Sequence, residues 1–266
     1  MDSFDFILPT PTLAPFVKHY WALRIYTPNI SERITPVGCV QLIFHRGDRM
    51  YSHSTNENQP LAFIGGQSNG FCDIQSTGKV DMLVVLFQPH GAKAFFNIPM
   101  EEFNNRNIAL EDLNDIGLLK LAEQVQNTPD NNIAIKFIEN FLISRLGNYD
   151  NYNHRRITRV LNSVNYSHIS DIDKLAETAC LGYKQFTRIF KEYIGTTPKE
   201  FTRIVRFQRA LSTLQQNPNI DQTELAIDCG FYDQPHLIKE FKTFSGYTPN
   251  EYMAVCAPYS DYFTQI

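Results

Sequence analysis

The sequence has little of what marks an exported, metal-binding or membrane-spanning protein. Its five cysteines lie far apart and show no CxxC or CxH spacing, so we expect neither a disulfide framework nor a zinc site. The chain begins with an acidic segment, residues 1–5, rather than with a signal peptide, and its longest apolar run covers only residues 82–87. These absences favour a cytoplasmic protein without membrane contact.

Positive charge is also scarce. The chain has 24 Lys and Arg against 28 Asp and Glu, a formal net charge of -4. Such a total is unusual for a protein that binds nucleic acid, unless the cations are concentrated on one face. Over residues 150–258 the balance is reversed, with 13 Lys and Arg against 12 Asp and Glu. The position of each cation therefore matters more than the sum.

The first part of the chain has the pattern of an antiparallel β protein. Short runs with the two-residue period of half-buried strands are separated by Gly, Asn and Pro. These runs cover residues 17–26, 37–45, 61–64, 71–76 and 79–88. They predict a β sandwich or small barrel, followed by helices over residues 89–97, 113–126 and 131–146.

From residue 154 onwards the apolar residues follow the period of helices. With 266 residues, of which 43% are hydrophobic, the chain is long enough to form two cores. We therefore predict an α+β protein. Its parts are an N-terminal regulatory domain over residues 1–146, a polar linker over residues 147–153, and an all-α domain over residues 154–266.

One segment of the all-α part occurs twice, 51 residues apart. Residues 190–201 return as residues 241–252, with six identities and two exchanges of one aromatic residue for another. Each copy follows a short helix, a tight turn and a second helix with cations, which is the layout of a helix-turn-helix. Predicted helix caps are Ser170, Asp221 and Asp233. A long helix that begins at Pro198 would hold the two units rigidly, so that they could occupy neighbouring major grooves of DNA.

The ordered motifs of this part resemble those of the AraC/XylS family of bacterial transcription regulators. The matching residues are Leu175-Ala176, Phe186-x-Arg188-x-Phe190-Lys191, Gly195-x-Thr197-Pro198-x-x-Phe201, Arg206-Phe207-x-x-Ala210, Gly230-Phe231 and Leu237-x-Lys239-x-Phe241-Lys242-x-x-x-Gly246-x-Thr248-Pro249-x-x-Tyr252. The resemblance implies a seven-helix DNA-binding domain with two helix-turn-helix units. The chain departs from the family pattern at Gly182, where a capping Ser is frequent, and at Cys180, where a turn Gly is common.

The first part of the chain is similar to a regulatory domain attached to one branch of this family. The similar segments are Pro15-Phe16-Val17 with Tyr20-Trp21, Gly38-Cys39 with Leu42-Ile43-Phe44-His45, and Gln88-Pro89-x-Gly91-Ala92-x-Ala94-Phe95-Phe96. This resemblance implies a cupin-like fold and points to no particular ligand.

The second helix of each unit supplies the candidate DNA contacts. Side chains on its first turns would reach base edges, and cations further out would neutralise phosphates. The predicted base-reading residues are Lys184, Thr187 and Arg188 in the first unit and Gln234, His236 and Lys239 in the second, and the predicted phosphate contacts are Lys191, Arg203 and Lys242. A single cation on a helix is usually a solvated surface charge, but like-placed cations recur in the two copies, namely Arg188 with Lys239 and Lys191 with Lys242, which favours a DNA-binding role. His236 could instead support its own helix.

Polar residues in the β domain are candidates for a small-molecule site. Cys39, Gln41 and His45 share one face of a predicted strand, where they could line an effector pocket. We favour the alternative that this face is exposed to solvent, which is common for one side of an antiparallel strand. No HxH with a downstream Glu supports a cupin-type metal site, so we expect no metal and no cofactor.

The sequence thus predicts a one-component transcription regulator that binds a double-stranded DNA operator. A small-molecule effector, RNA polymerase and a second copy of the chain are its possible partners. Apolar stripes over residues 118–125 and 135–142 could form a dimer interface or pack on the β domain itself. Two alternatives remain open: an enzyme or alkyl acceptor fused to a DNA-binding module, and a protein-interaction scaffold. We expect no enzyme activity, because no nucleophile elbow, paired carboxylate motif or four-cysteine cluster occurs.

Overall fold

The computed structural model of the protein describes residues 2–27, 30–147, 152–166 and 171–255. The strands within these residues are β1 (Ser3–Ile7), β2 (Val17–Ile25), β3 (Ser31–Ile34), β4 (Gln41–His45), β5 (Met50–Ser52), β6 (Glu57–Asn58), β7 (Ala62–Gly65), β8 (Cys72–Ser76), β9 (Val80–Phe87) and β10 (Asn107–Ala109). One sheet has the order β1-β2-β9-β4-β7-β10, and the other has the order β3-β8-β5-β6. The predicted antiparallel sheets are confirmed.

The register of the larger sheet explains how both of its faces are buried. Trp21, Val84, Ile43 and Phe63 lie side by side in one row across four strands. They point into a core shared with the smaller sheet. Residues of the next row, such as Leu42, belong to a second core that is closed by helices. A sheet covered on both sides keeps its strands almost wholly apolar, as in β9.

Two helices cover the outer face of this sheet, namely α1 (Ile116–Gln126) and α2 (Asn131–Leu146). The boundaries predicted for α2 are confirmed. Helix α1 begins three residues later than predicted, because Asn114 is left-handed (φ 50°) and the Asp115 side chain accepts hydrogen bonds from the backbone N–H groups of Gly117 and Leu118. The helix predicted over residues 89–97 was too long, since only a 3-10 turn forms there, at Ala92–Ala94.

The apolar stripes of these two helices pack on their own domain. Leu118, Ala122 and Val125 of α1 are buried in the core beneath the sheet, as are Ile138 and Leu142 of α2. Of the two alternatives left open by the sequence, packing within the domain is therefore correct. These buried residues are not available to a second copy of the chain, and self-association stays a prediction.

The rest of the described chain is helical. Its helices are α3 (Tyr152–Tyr166), α4 (Ile172–Thr178), α5 (Tyr183–Ile194), α6 (Pro198–Gln216), α7 (Gln222–Asp228), α8 (Gln234–Ser245) and α9 (Pro249–Val255). Residues 152–166 and 171–255 therefore contain the seven helices that the family resemblance implies. No helix among the described residues combines the length and the apolar character that a membrane crossing requires.

The repeated segment ends α5 and α8 in the same way. Gly195 (φ 93°) and Gly246 (φ 78°) adopt the left-handed conformation that glycine takes without a steric penalty. After the first of these turns, Thr197 caps α6 by accepting a hydrogen bond from the Glu200 N–H, and Pro198 occupies the first helical position. The repeat in the sequence is thus a repeat of helix endings and not of helices alone.

Side-chain caps also begin α4, α7 and α8. Asp221 caps α7 and Asp233 caps α8, as predicted. The predicted cap Ser170 lies outside the described residues, and Asp171 caps α4 by accepting a hydrogen bond from the Asp173 N–H.

Helix α6 joins two separate cores. Its first turn packs through Phe201 on α3, α4 and α5, whereas Ile204, Phe207 and Leu211 pack on α7, α8 and α9. Its 19 residues span about 28 Å at 1.5 Å per residue. The two helical units are therefore connected by one continuous rod.

Candidate nucleic-acid interface

In the first unit, packing determines which side chains of α5 remain free. Phe186, Ile189 and Phe190 are buried against α3, α4 and α6, so the opposite side of α5 faces outwards. The predicted base-reading residues Lys184 and Arg188 are exposed there, and Thr187 is half-buried. These three residues lie within two turns of the same helix, near its N-terminal end, which is the part that enters a major groove in helix-turn-helix proteins.

The second unit repeats this arrangement with α8. Leu237 and Phe241 are buried, and Lys239 is exposed on the opposite side. Gln234 is half-buried at the start of the helix, where its Nε2 donates a hydrogen bond to Oε1 of Gln222 on α7 at 3.2 Å. Gln234 is therefore held by the preceding helix, and Lys239 is free.

His236 makes a structural hydrogen bond that also determines the tautomer of its imidazole ring. The backbone N–H of Tyr232 donates to Nδ1 of His236 at 3.2 Å, so the side chain does support the turn before α8. A neutral imidazole that accepts at Nδ1 has its proton on Nε2. The ring can therefore still donate one hydrogen bond from Nε2, the kind of bond that a guanine O6 or N7 accepts.

The three predicted phosphate contacts differ in their surroundings. Lys242 is exposed and Lys191 is half-buried, each in the last turn of its helix. Arg203 is bound to two carboxylates, those of Glu200 and Glu240, at distances of 2.7 to 3.0 Å. Its charge is already balanced inside the domain. The contact of Arg203 with a phosphate stays a prediction.

The turns of the two units have different residues at the same left-handed position. Cys180 (φ 53°) in the first turn and Gly230 (φ 79°) in the second are both left-handed. We expect Cys180→Gly to raise the free energy of unfolding by about 1 kcal/mol, because a residue with a Cβ is strained in this conformation. Urea denaturation followed by circular dichroism would measure the gain. Gly230→Ala is the matched control and should lose a similar amount; no gain for Cys180→Gly would show that the turn is not strained.

The strand face with Cys39, Gln41 and His45 is not exposed to solvent. Cys39 and His45 are buried and Gln41 is half-buried, and Ile43 of the same face packs in the core shared with the second sheet. The interpretation of a solvent-exposed face was wrong. Burial raises the pKa of the Cys39 thiol and lowers that of His45 to about 4, so both are uncharged at neutral pH.

These three residues do not converge on one point. His45 Nε2 lies 3.2 Å from Oε1 of Gln59, at the far end of β4. Cys39 lies at a bend two residues before the strand begins, and β4 itself, with five residues, is about 16 Å long. One small ligand would not contact both, and an effector pocket on this face stays a prediction. Among the described residues, no three His, Cys, Asp or Glu side chains cluster as metal ligands would.

The β domain touches the C-terminal end of α8, a contact that sequence reasoning missed. The Arg33 guanidinium on β3 lies between the rings of Phe71 and Tyr247, 4.1 and 4.5 Å from their centroids. It donates to the Ser245 carbonyl oxygen at 3.2 Å and pairs with Asp73 at 2.6 and 2.7 Å. One arginine of the N-terminal domain thus holds the end of the second candidate reading helix.

Other contacts join the β domain to α5 and α6. Lys93 Nζ lies 3.6 Å from Oε1 of Glu192 on α5, and Gln208 Nε2 on α6 donates to the Pro36 carbonyl oxygen. A cleft of about 920 Å³ lies beside the first contact, and its lining includes Lys93, Glu192, Phe96, Ile116 and Arg145. The β domain therefore contacts the C-terminal ends of α5 and α8 and the middle of α6.

Family models and known proteins match both parts of the chain. Residues 5–109 match a domain of unknown function, DUF6597, and residues 175–254 match a helix-turn-helix domain. The HTH-type transcriptional regulator ArgR of Pseudomonas aeruginosa is 30% identical over 112 residues, which are 41% of this chain and 32% of ArgR. The uncharacterized regulator YidL of Escherichia coli K12 is 41% identical over 63 residues, which are 24% of this chain and 21% of YidL. The chain thus spans about a third or less of the length of these relatives.

Among solved structures, ToxT from Vibrio cholerae superimposes with a TM-score of 0.48 at 11% identity, over 88% of this chain and 97% of ToxT. The assignment of the chain rests on the helix-turn-helix match and on the two units joined by α6. Residues 175–254 therefore form a helix-turn-helix domain of the AraC type, and residues 5–109 form a DUF6597 domain.

Proposed function

We propose that the protein is a transcription regulator that recognises an operator through two adjacent major grooves. The observation that supports this proposal best is the equivalent exposure of Arg188 and Lys239 on the outer sides of α5 and α8. Both helices pack on the same continuous helix, α6, so they would contact DNA as one rigid body. Two reading helices one duplex turn apart would lie about 34 Å from each other.

The candidate DNA contacts divide into two proposed roles. Lys184, Thr187 and Arg188 on α5, with Gln234, His236 and Lys239 on α8, would contact base edges. Lys191 and Lys242, one turn further along, would neutralise phosphates and add affinity without sequence preference. This division separates what determines the operator from what determines the overall strength of binding.

Substitutions at Arg188 and Lys242 should separate these roles. The probe is a duplex that the full chain selects from a randomised pool, compared with a scrambled duplex. Arg188→Ala should weaken binding to the selected duplex by about 1–3 kcal/mol and leave the scrambled duplex almost unchanged. Lys242→Ala should weaken binding to both duplexes alike and reduce the slope of log K against log salt by about 0.9. Equal losses on both duplexes for Arg188→Ala would reject its base-reading role.

We also propose that the N-terminal domain controls this activity through its contacts with α5, α6 and α8. A small-molecule effector in the cleft beside Lys93 and Glu192 would lie against α5 directly. It would act only if it favours one arrangement of the two domains over another. Self-association and a contact with RNA polymerase are further proposals. Light scattering of the full chain against residues 150–266 tests the first, and transcription with purified polymerase tests the second.

A further inference from the structure

Glu240 is a buried carboxylate at a position where the first unit has a buried apolar side chain. It stands on α8 where the first unit has Ile189 on α5, 51 residues earlier. Ile189 is 2% exposed and Glu240 is 6% exposed. A buried carboxylate is costly unless it is paired and hydrogen-bonded. The second unit therefore needs a partner for Glu240 that the first unit does not need for Ile189.

Arg203 on α6 is that partner. Its Nε donates to Oε2 of Glu240 at 2.7 Å, and its Nη2 donates to Oε1 at 2.8 Å. Two parallel hydrogen bonds fix the angle between a guanidinium and a carboxylate as well as their separation. The remaining Nη1 binds both carboxylate oxygens of Glu200, and the guanidinium lies 5.2 Å from the ring centroid of Phe244. The arginine is thus held from several sides.

The pKa values follow from this pairing. Burial alone would raise the pKa of Glu240, but the hydrogen bonds and positive charge of Arg203 outweigh it and leave that pKa below its ordinary value. The same hydrogen bonds raise the pKa of Arg203 above its ordinary value. Both groups are charged at neutral pH.

A second arginine of α6 binds the turn before α8. Arg206 Nη1 donates to the Gly230 carbonyl oxygen at 3.2 Å, and its guanidinium lies 5.6 Å from the ring centroid of Phe231. Helix α6 therefore binds the second unit at two places: Arg206 contacts the turn before α8, and Arg203 contacts the middle of α8. Because successive residues of a helix are 100° apart, fixing Glu240 inwards fixes the direction in which its neighbour Lys239 points.

We propose that Arg203 is a positioning residue for DNA reading by α8, acting through Glu240 rather than by contact with a phosphate. This inference rests on the proposed function, because it concerns the orientation of a helix that reads DNA. It sets Arg203 apart from Lys242, which is exposed. If Arg203 contacted a phosphate, its effect on DNA binding would not depend on Glu240. If Arg203 positions α8 through Glu240, its effect must depend on that residue.

The test is a double-mutant cycle on the full chain, with the selected and the scrambled duplex as probes. Arg203→Ala and Glu240→Ala should each reduce the selected-to-scrambled affinity ratio about tenfold, and the double variant should lose no more than either single variant. The slope of log K against log salt should stay unchanged, while the control Lys242→Ala reduces it by about 0.9. Additive losses, or a reduced slope for Arg203→Ala, would overturn the inference.

A milder variant keeps the test decisive if the alanine variants unfold. Arg203→Lys keeps the positive charge but loses the planar fork. A positioning role predicts that it lowers the affinity ratio nearly as far as Arg203→Ala, with circular dichroism unchanged. Affinity ratio and salt slope both equal to those of the original chain would favour a plain phosphate contact and reject the proposal. If the original chain itself shows no preference for the selected duplex, the proposed function fails, which is a different result.

Discussion

Replacing Phe207 with alanine should lower the free energy of unfolding of the second helical unit by about 3–5 kcal/mol. Phe207 is fully buried on α6, with its ring 5.1 Å from that of Phe241 and 5.3 Å from that of Phe244. Both partners are on α8. The substitution would therefore remove the surface on which the second candidate reading helix sits, and preference for the selected duplex should be lost along with stability.

Urea denaturation followed by circular dichroism at the helical band measures this loss. Tyr232→Ala is a suitable control in the same unit, because that side chain is 89% exposed and its removal should change stability by less than about 0.5 kcal/mol. A Phe207→Ala variant with the stability of the control would mean that α8 is not seated on α6 in the way described.

Gly91→Ala should destabilise the N-terminal domain by about 3 kcal/mol, the upper end of the usual cost of overpacking. A Cβ at Gly91 would overlap the carbonyl group of Phe16, which also accepts a hydrogen bond from the Gln88 N–H at 2.7 Å. The atoms that the Cβ would overlap belong to the Phe16 backbone, so they cannot move aside as a flexible side chain would. The strand β2 and the turn at Gly91 would have to separate, and β2 contains Trp21 in the core between the sheets.

The single tryptophan makes this effect easy to assign to one domain. Trp21 is 2% exposed, so its fluorescence follows the unfolding of the N-terminal domain and not of the helical one. Gly70→Ala is the control. A Cβ added at Gly70 would lie 3.6 Å from the Thr243 carbonyl oxygen, an ordinary contact distance. The free energy of unfolding of this control should therefore stay within about 0.5 kcal/mol of the original. A Gly91→Ala chain that unfolds at the same urea concentration as this control would refute the close approach.

Local patterns in the sequence were enough to predict the helical units. Caps such as Asp221 and Asp233 and the glycines after α5 and α8 act within a few residues, so they can be recognised without knowledge of the rest of the fold. Short strands were harder. Strand β3 has only four residues, one of them the buried Glu32, and no run of apolar residues marks it.

Features that depend on distant parts of the chain could not be predicted. The alternation around His45 shows that two faces exist, but it cannot show that a second sheet covers one of them. A cation on a helix looks the same whether it faces DNA or a carboxylate, and the partner of Arg203 is 37 residues away. The contact of Arg33 with Ser245 and Tyr247 joins residues more than 200 positions apart. Each of these is decided by packing between elements rather than by local pattern.

The most direct test of the account is dimethyl sulfate interference on the duplex selected by the full chain, because this reagent methylates guanine N7 in the major groove. Two helix-turn-helix units in adjacent major grooves should give two patches of interference on one face of the duplex, with centres about 10 base pairs apart. Arg188→Ala should relieve interference in one patch, and Lys239→Ala should relieve it in the other. A single patch, or relief of the same patch by both substitutions, would contradict two helix-turn-helix units that read adjacent grooves.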